Sequence, residues 1–237
     1  MIYKTISPTE SQVGKYVDIN GDGIPEGVIF ADLAVGGEGQ WGNEEYKEKY
    51  KIPTINDGLK DYIVIDEYND QINGKQEVLA PILDGKDRFY IMALQDVGPK
   101  NQTWYDWANE KINFANEAKR NFGAGYLNTY TMMEEWNVSK YGEKNINDDL
   151  WNFIQEDVKS GWFLPSAGEW AAFTGQLGIT KYDLSSKGLA DAYWTSSLDS
   201  LNKINHLNSV FIAHLRTESI IFTLGRCSGS TRLAKTI

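Results

Sequence analysis

An α+β fold of antiparallel sheets with flanking helices is predicted for this chain of 237 residues by three observations. Short β-rich runs bounded by Gly, Pro, Asn or Asp fill its first hundred residues. Apolar residues at three- and four-residue steps then mark helices between Thr103 and Gly178, and strand-like runs return from Ala192 to the end.

The N-terminal strands are expected in VGKYVDI, GVIFADL, DYIVIDEY and RFYIMALQDV. Between Thr103 and Arg120 the residues Trp104, Trp107, Ala108, Ile112, Ala115 and Ala118 fall on one helical face, and NFGAG ends that helix. A second helix is predicted in NDDLWNFIQEDVKSG, with Asn147 or Asp148 as its cap, Leu150, Trp151, Ile154 and Val158 as its apolar stripe, and Gly161 as its stop. The sharpest local signal is SAGEWAAFTGQLG. Ser166 and Glu169 stand at capping-box spacing, Trp170, Phe173 and Leu177 face inward, and Gly178 sits where a left-handed C-cap belongs. The closing strands are AYWTSS, SVFIAHLR, SIIFTLG and STRLAKTI.

Composition excludes several functions. A formal charge of −10, with 23 scattered basic residues, lacks the cationic stripe that phosphate backbones require, so nucleic acid is not the expected ligand. No run of 18 apolar residues exists for membrane insertion, and MIYKTISPTESQVGKYV has no apolar signal core. Cys227 is alone, so the fold rests on packing and not on an internal disulfide. Neither it nor His206 and His214, eight residues apart, has the neighbours of a zinc site or an activated nucleophile. NEEYKEKYK reads as a solvated loop, and MMEEW as buried Met and Trp with glutamates in water. No linker or internal repeat divides the chain, which is expected to be one domain.

The run GWFLPSAGEWAAF, then YWTSS, then the terminal TRLAKTI resembles the C-type-lectin-fold branch shared by formylglycine-generating enzymes and the variable proteins of diversity-generating retroelements. In that branch a Leu-Pro-Ser/Thr turn leads into a helix carrying Glu-Trp, and an Arg near the C-terminus closes the last strand. The corresponding residues are Leu164, Pro165, Ser166, Glu169, Trp170 and Arg232. The likeness covers residues 150–237, and DGIPEGVIFADLAVGG with QWG looks like the N-terminal parts of such proteins from bacterial viruses. It implies a C-type-lectin-like domain over 1–237, with a strand-rich part to residue 100, a helical insert over 101–161, and a lectin-fold core with a variable tail over 162–237. Its location would be a phage tail or an extracellular surface. The formylglycine-generating enzymes use cysteine chemistry with a metal that one Cys does not reproduce, so a binding protein is expected and not an enzyme. A degenerate enzyme of this fold and an invariant lectin-like adhesion domain are the competing readings.

The resemblance also implies randomised adenines, which turn AAC codons into NNC codons. These encode no Trp, Met, Gln, Lys or Glu. Of the 36 residues from Leu198 to Leu233, only Lys203 and Glu218 belong to those types, whereas 51 of residues 1–197 do. A β-rich tail would also deplete Lys, Glu and Gln, but it would not lose Trp. The expected ligand face therefore comprises Asp199, Leu201, Asn205, His206, Asn208, Ile212, His214, Arg216, Thr217, Ser219, Ile221, Thr223, Arg226, Ser228 and Ser230. Val210, Phe211, Ala213 and Leu215 read as scaffold, the last three on one buried face. A protein or glycan on a cell surface is the expected partner.

DINGDGIPEG places Asp18, Asn20, Asp22, the Ile24 carbonyl and Glu26 at the spacing of a calcium loop, with glycine at the sixth position. Ile29 stands where an EF-hand has its bidentate Glu. Calcium is thus the one cofactor expected, with an Asx-rich turn as the alternative.

Overall fold

The computed structural model describes residues 4–82, 84–105, 118–138, 149–198, 209–224 and 227–237. It is an α+β protein, dominated by sheet. In chain order the elements are β1 (Lys4–Thr5), β2 (Tyr16–Val17), β3 (Gly27–Asp32), β4 (Gly37–Trp41), β5 (Glu48–Ile52), β6 (Tyr62–Asp70), β7 (Gly74–Pro81), β8 (Phe89–Ala93) and β9 (Gln102–Thr103). Helices α1 (Gly125–Val138), α2 (Leu150–Phe153), α3 (Gln155–Lys159) and α4 (Ala167–Gln176) follow, then β10 (Ala192–Leu198), β11 (Ser209–His214), β12 (Ser219–Leu224), β13 (Ser228–Gly229) and β14 (Ala234–Thr236).

Seven strands form the main sheet in the order β1-β6-β7-β2-β3-β8-β14, antiparallel throughout except for the parallel β2–β7 pair. The interior strand β3, GVIFAD, is buried on both faces. Val28 and Phe30 point into a cluster with Trp170 and Phe173 of α4, while Ile29 points into a second one with Val17, Phe89 and Ile91. The last strand returns to the first half of the chain, pairing Ala234 with Met92 and Thr236 with Tyr90. A smaller sheet, β10-β11-β12, lies on the other side of α4.

The predicted strands appear, and α4 has the predicted ends. Ser166 Oγ accepts the Glu169 N–H at 3.2 Å, Glu169 Oε2 accepts the Ser166 N–H at 2.6 Å, and Gly178 takes φ +61°. Three helical expectations change. Gln102–Thr103 is strand, and Trp107, Ala108, Ile112 and Ala115 lie outside the described residues. NFGAG, expected to end a helix, leads into α1, whose inner face holds Met132, Met133 and Trp136. The second predicted helix is two short ones, broken at Ile154 (φ −94°, ψ 2°), and its proposed caps Asn147 and Asp148 lie outside the described residues. Asp149 stands at the N-terminus of α2 instead and spends its carboxylate elsewhere, accepting from Thr103 Oγ1 (3.0 Å) and Trp136 Nε1 (3.3 Å). Its burial requires those partners. Among the described residues no helix is long and apolar enough to cross a membrane.

Candidate functional site

The LPSAGEW turn anchors the second half of the fold. Glu169 is fully buried, and its carboxylate accepts three main-chain N–H groups: Ser166 at the start of its own helix, and Gly123 (3.1 Å) and Gly125 (3.2 Å) at the start of α1. One side chain thus clamps two helix N-termini. Burial raises its pKa to about 7, although all three donors favour the charged form. Trp170 stacks on Tyr193, with ring centroids 4.6 Å apart, and donates its indole N–H to the Trp194 carbonyl. The Tyr193 hydroxyl reaches Asp96, which also takes a 2.6 Å ion pair from Arg232 Nε. Arg232 precedes β14 and locks it to the loop after β8, an anchoring that involves Asp96, a residue no motif had flagged.

The smaller sheet supports the tail. Val210 and Ile212 of β11 point into a cluster with Trp104, Trp151 and Trp194, while Phe211 and Ala213 point the other way, towards α4. Both faces of this strand are therefore core. Part of the expected ligand face is corrected by burial: Ile212 on β11 (5% exposed), Ser219 on β12 (2%) and Ser230 after β13 (8%) are buried. Ile212 lies opposite Ile221 and Trp194 in register, Ser219 Oγ is 2.6 Å from Thr217 Oγ1, and Ser230 exchanges main-chain bonds with Ala192 and Trp194. The scaffold assignments of Val210, Phe211, Ala213 and Leu215 agree with their burial.

The other tail positions divide by place. Arg216, Thr217 and Ser228 are exposed, and His214, Ile221 and Thr223 are half-buried. Asp199, Leu201, Asn205, His206, Asn208 and Arg226 lie outside the described residues. Arg216 and Thr217 stand on a single 3-10 turn, Leu215–Thr217, that joins β11 to β12. Arg216 reaches Asp191 at 3.1 Å with both side chains well exposed, and Thr217 Oγ1 lies 2.8 Å from His214 Nδ1. Further along β12, Phe222, opposite Phe211, is an exposed aromatic ring that the sequence reading did not choose.

The turn is held from outside the tail. Glu218 takes a left-handed conformation (φ 51°, ψ 61°), its carboxylate accepts the Lys181 N–H (3.0 Å), and its carbonyl accepts the Asn43 N–H (2.6 Å). Asn43 Nδ2 also donates to the Thr217 carbonyl at 3.1 Å. Asn43 belongs to NEEYKEKYK's neighbourhood, the segment read as a solvated loop. In fact it is the tip of the β4–β5 hairpin running into β5, whose Glu48, Tyr50 and Ile52 are buried. The period-two pattern of EKYKI was the available signal, masked by its charge. Glu48 pairs with Arg120, whose guanidinium lies 4.0 Å above the Phe211 ring, and burial still pushes the Glu48 carboxyl up.

The 18–26 loop is a set of Asx turns. Buried Asp18 accepts the Gly21 (2.6 Å) and Gly23 (2.9 Å) N–H groups, Asn20 accepts from Asp22 (2.8 Å), and Asp22 from Ile24 (2.8 Å). Glu26 turns its carboxylate to the Ile19 N–H at 2.6 Å. Among the described residues no three His, Cys, Asp or Glu side chains converge as a metal-ligand group.

Neither protein-family models, nor curated proteins, nor solved structures give a match to this chain.

Proposed function

We propose that this chain is a ligand-binding protein that displays a diversified face on a C-type-lectin scaffold, on a phage tail or an extracellular surface. The observation that carries it is the split within residues 209–224. Val210, Phe211, Ala213 and Leu215 are core, while Arg216 and Thr217 are exposed on a turn and Phe222 is exposed on β12. Cationic, hydroxyl and aromatic side chains on a tail whose turn is fastened by Asn43 and Lys181 suit contacts with a protein or glycan. Glu218 supports the reading in a second way. It is one of only two departures from the tail's NNC composition, and it is the residue whose carboxylate and carbonyl fasten the turn. A position that fixes geometry is one that diversification would spare.

Sibling copies of the gene are expected to differ within Leu198–Leu233 at Arg216, Thr217 and Phe222, and to keep Glu218 and residues 150–197. Deep sequencing of the locus checks this. Variation spread evenly along the chain, or not traceable to adenines of a template repeat, would overturn it.

A calcium ion in the 18–26 loop belongs to the same proposal. The Asx turns fix Asp18, Asn20 and Asp22 at the first, third and fifth positions of a loop with glycine at the sixth. Calcium at a hundred times its Kd is then expected to stabilise the fold by about 2.7 kcal/mol. A thermal scan reads this as a rise in midpoint that chelator reverses and Asp22→Ala abolishes. An unchanged midpoint removes the ion.

A further inference from the structure

The two larger sheets end in β1, β14, β10 and β12, and among the described residues only the β12 edge lacks protection. β1 is two residues long and carries Lys4. Both main-chain groups of Ala234 on β14 bond outward to Phe163 at 2.8 Å, and β10 bonds outward to Ser230 at 3.0 Å and Pro165 at 2.9 Å. On β12 the Ile220 N–H reaches the Tyr46 carbonyl at 3.5 Å, and there the cover stops. Main-chain groups along a strand point to alternate sides, so Phe222 and Leu224 face outward with Ile220. The register agrees. Ala192 and Trp194 bond outward to Ser230, which turns Tyr193 towards Ala213 and leaves Ile220, opposite Ala213, facing away. Among the described residues, nothing meets the outward N–H and C=O of Phe222 and Leu224. Sheet proteins blunt such an edge with Lys, Pro or a bulge, and SIIFTL has none of these. Phe222, on the open stretch, is more than half exposed.

We propose that this edge pairs antiparallel with the same edge of a second copy of the chain, about a two-fold axis at Thr223. Phe222 of each copy then exchanges both main-chain bonds with Leu224 of the other. An axis at Phe222 is excluded, because it would set Leu224 of the second copy against Ile220, whose N–H is already taken. Three features favour a second copy over a foreign strand. The edge carries no charge with which to repel itself. The axis sets Thr223 against Thr223, a favourable cross-strand pair. Cys227, the chain's only cysteine, is exposed with its Sγ 3.2 Å from Thr223 Oγ1, so the same axis brings two thiols to one place. Main-chain bonds do not read side chains, so the pairing survives the variation expected at Phe222. It does not depend on what the Leu215–Thr217 turn binds, and it would give each dimer two such turns.

Sedimentation equilibrium of the whole chain in reducing buffer, from roughly 1 µM to 1 mM, is the test. Wild type is expected to pass from monomer to dimer within that range, and the Phe222 amide to become protected from hydrogen exchange as the dimer forms. Phe222→Pro removes the outward N–H, so it is expected to raise the dimer Kd about tenfold or more. Proline is tolerated where a strand's N–H faces solvent, so the variant's melting midpoint as a monomer is expected to stay near wild type. Diamide, which takes up two electrons and two protons as two thiols join, is expected to trap the wild-type dimer covalently and to leave Cys227→Ser uncrosslinked. Four results would overturn the proposal: a monomer at every concentration, which would leave the edge to a foreign strand; a dimer whose Phe222 amide exchanges as fast as the monomer's; a folded Phe222→Pro variant that dimerises as tightly as wild type; or a dimer that diamide does not trap.

Discussion

Replacing Trp170 with alanine is expected to lower stability by roughly 3–5 kcal/mol, the cost of an emptied aromatic site in a core. The indole is fully buried, stacked on Tyr193, edge-on to Phe173 at 5.6 Å, and bonded through its N–H to the Trp194 carbonyl. The variant therefore loses packing against both sheets at once and leaves a main-chain carbonyl of β10 without its donor. Because a domain is stabilised by only about 5–15 kcal/mol, expression itself is expected to fall. Arg216→Ala sets the contrast. Its ion pair with Asp191 is open to solvent, and such pairs contribute about 0–1 kcal/mol, so its denaturation curve is expected to lie close to wild type. Binding to the natural ligand is expected to show the reverse order for Arg216, with a loss of about 1–2 kcal/mol or more if it is a principal contact. Chemical melts on both variants check this. Equal damage from the two would mean that the tail turn is part of the core and that the ligand face lies elsewhere.

Arg88→Ala is expected to be as costly, about 3–5 kcal/mol, for an electrostatic reason. Arg88 and Asp32 form a bidentate pair, with Nε and Nη2 each 3.0 Å from a carboxylate oxygen and both side chains almost wholly buried. Nη2 also donates to the Ser7 carbonyl at 3.0 Å, and Asp32 accepts the main-chain N–H groups of Gln12 (3.1 Å) and Ala34 (2.9 Å). The pair therefore pins the segment between β1 and β2 to the main sheet. Removing the guanidinium leaves a carboxylate in the core that water does not reach. Arg88→Met with Asp32→Asn is expected to recover part of the loss, because no unpaired charge then remains. Urea melts of the single and double variants measure the difference. A double variant worse than Arg88→Ala would show that geometry, and not charge, is what the pair supplies.

Sequence alone determined the local features whose cause lies within a few residues. The capping box of α4, the left-handed Gly178, the β-rich runs and the scaffold role of Phe211, Ala213 and Leu215 follow from spacing, because neighbours in the chain supply the partners. Helix α1 was not legible for the opposite reason. Tyr126, Leu127 and Tyr130 lie on its solvent face and blur the alternation of apolar and polar positions, so only the contacts of Met132, Met133 and Trp136 reveal which side is inside. Tertiary structure also decided which tail residues are free. A strand covered on one face alternates, and Ile212, between Phe211 and Ala213, read as outward on that assumption. Here β11 lies between two clusters, and both of its faces are filled. Capping and periodicity are encoded locally. Which charges are paired, and which are left open to a ligand, depends on contacts between residues far apart in the chain.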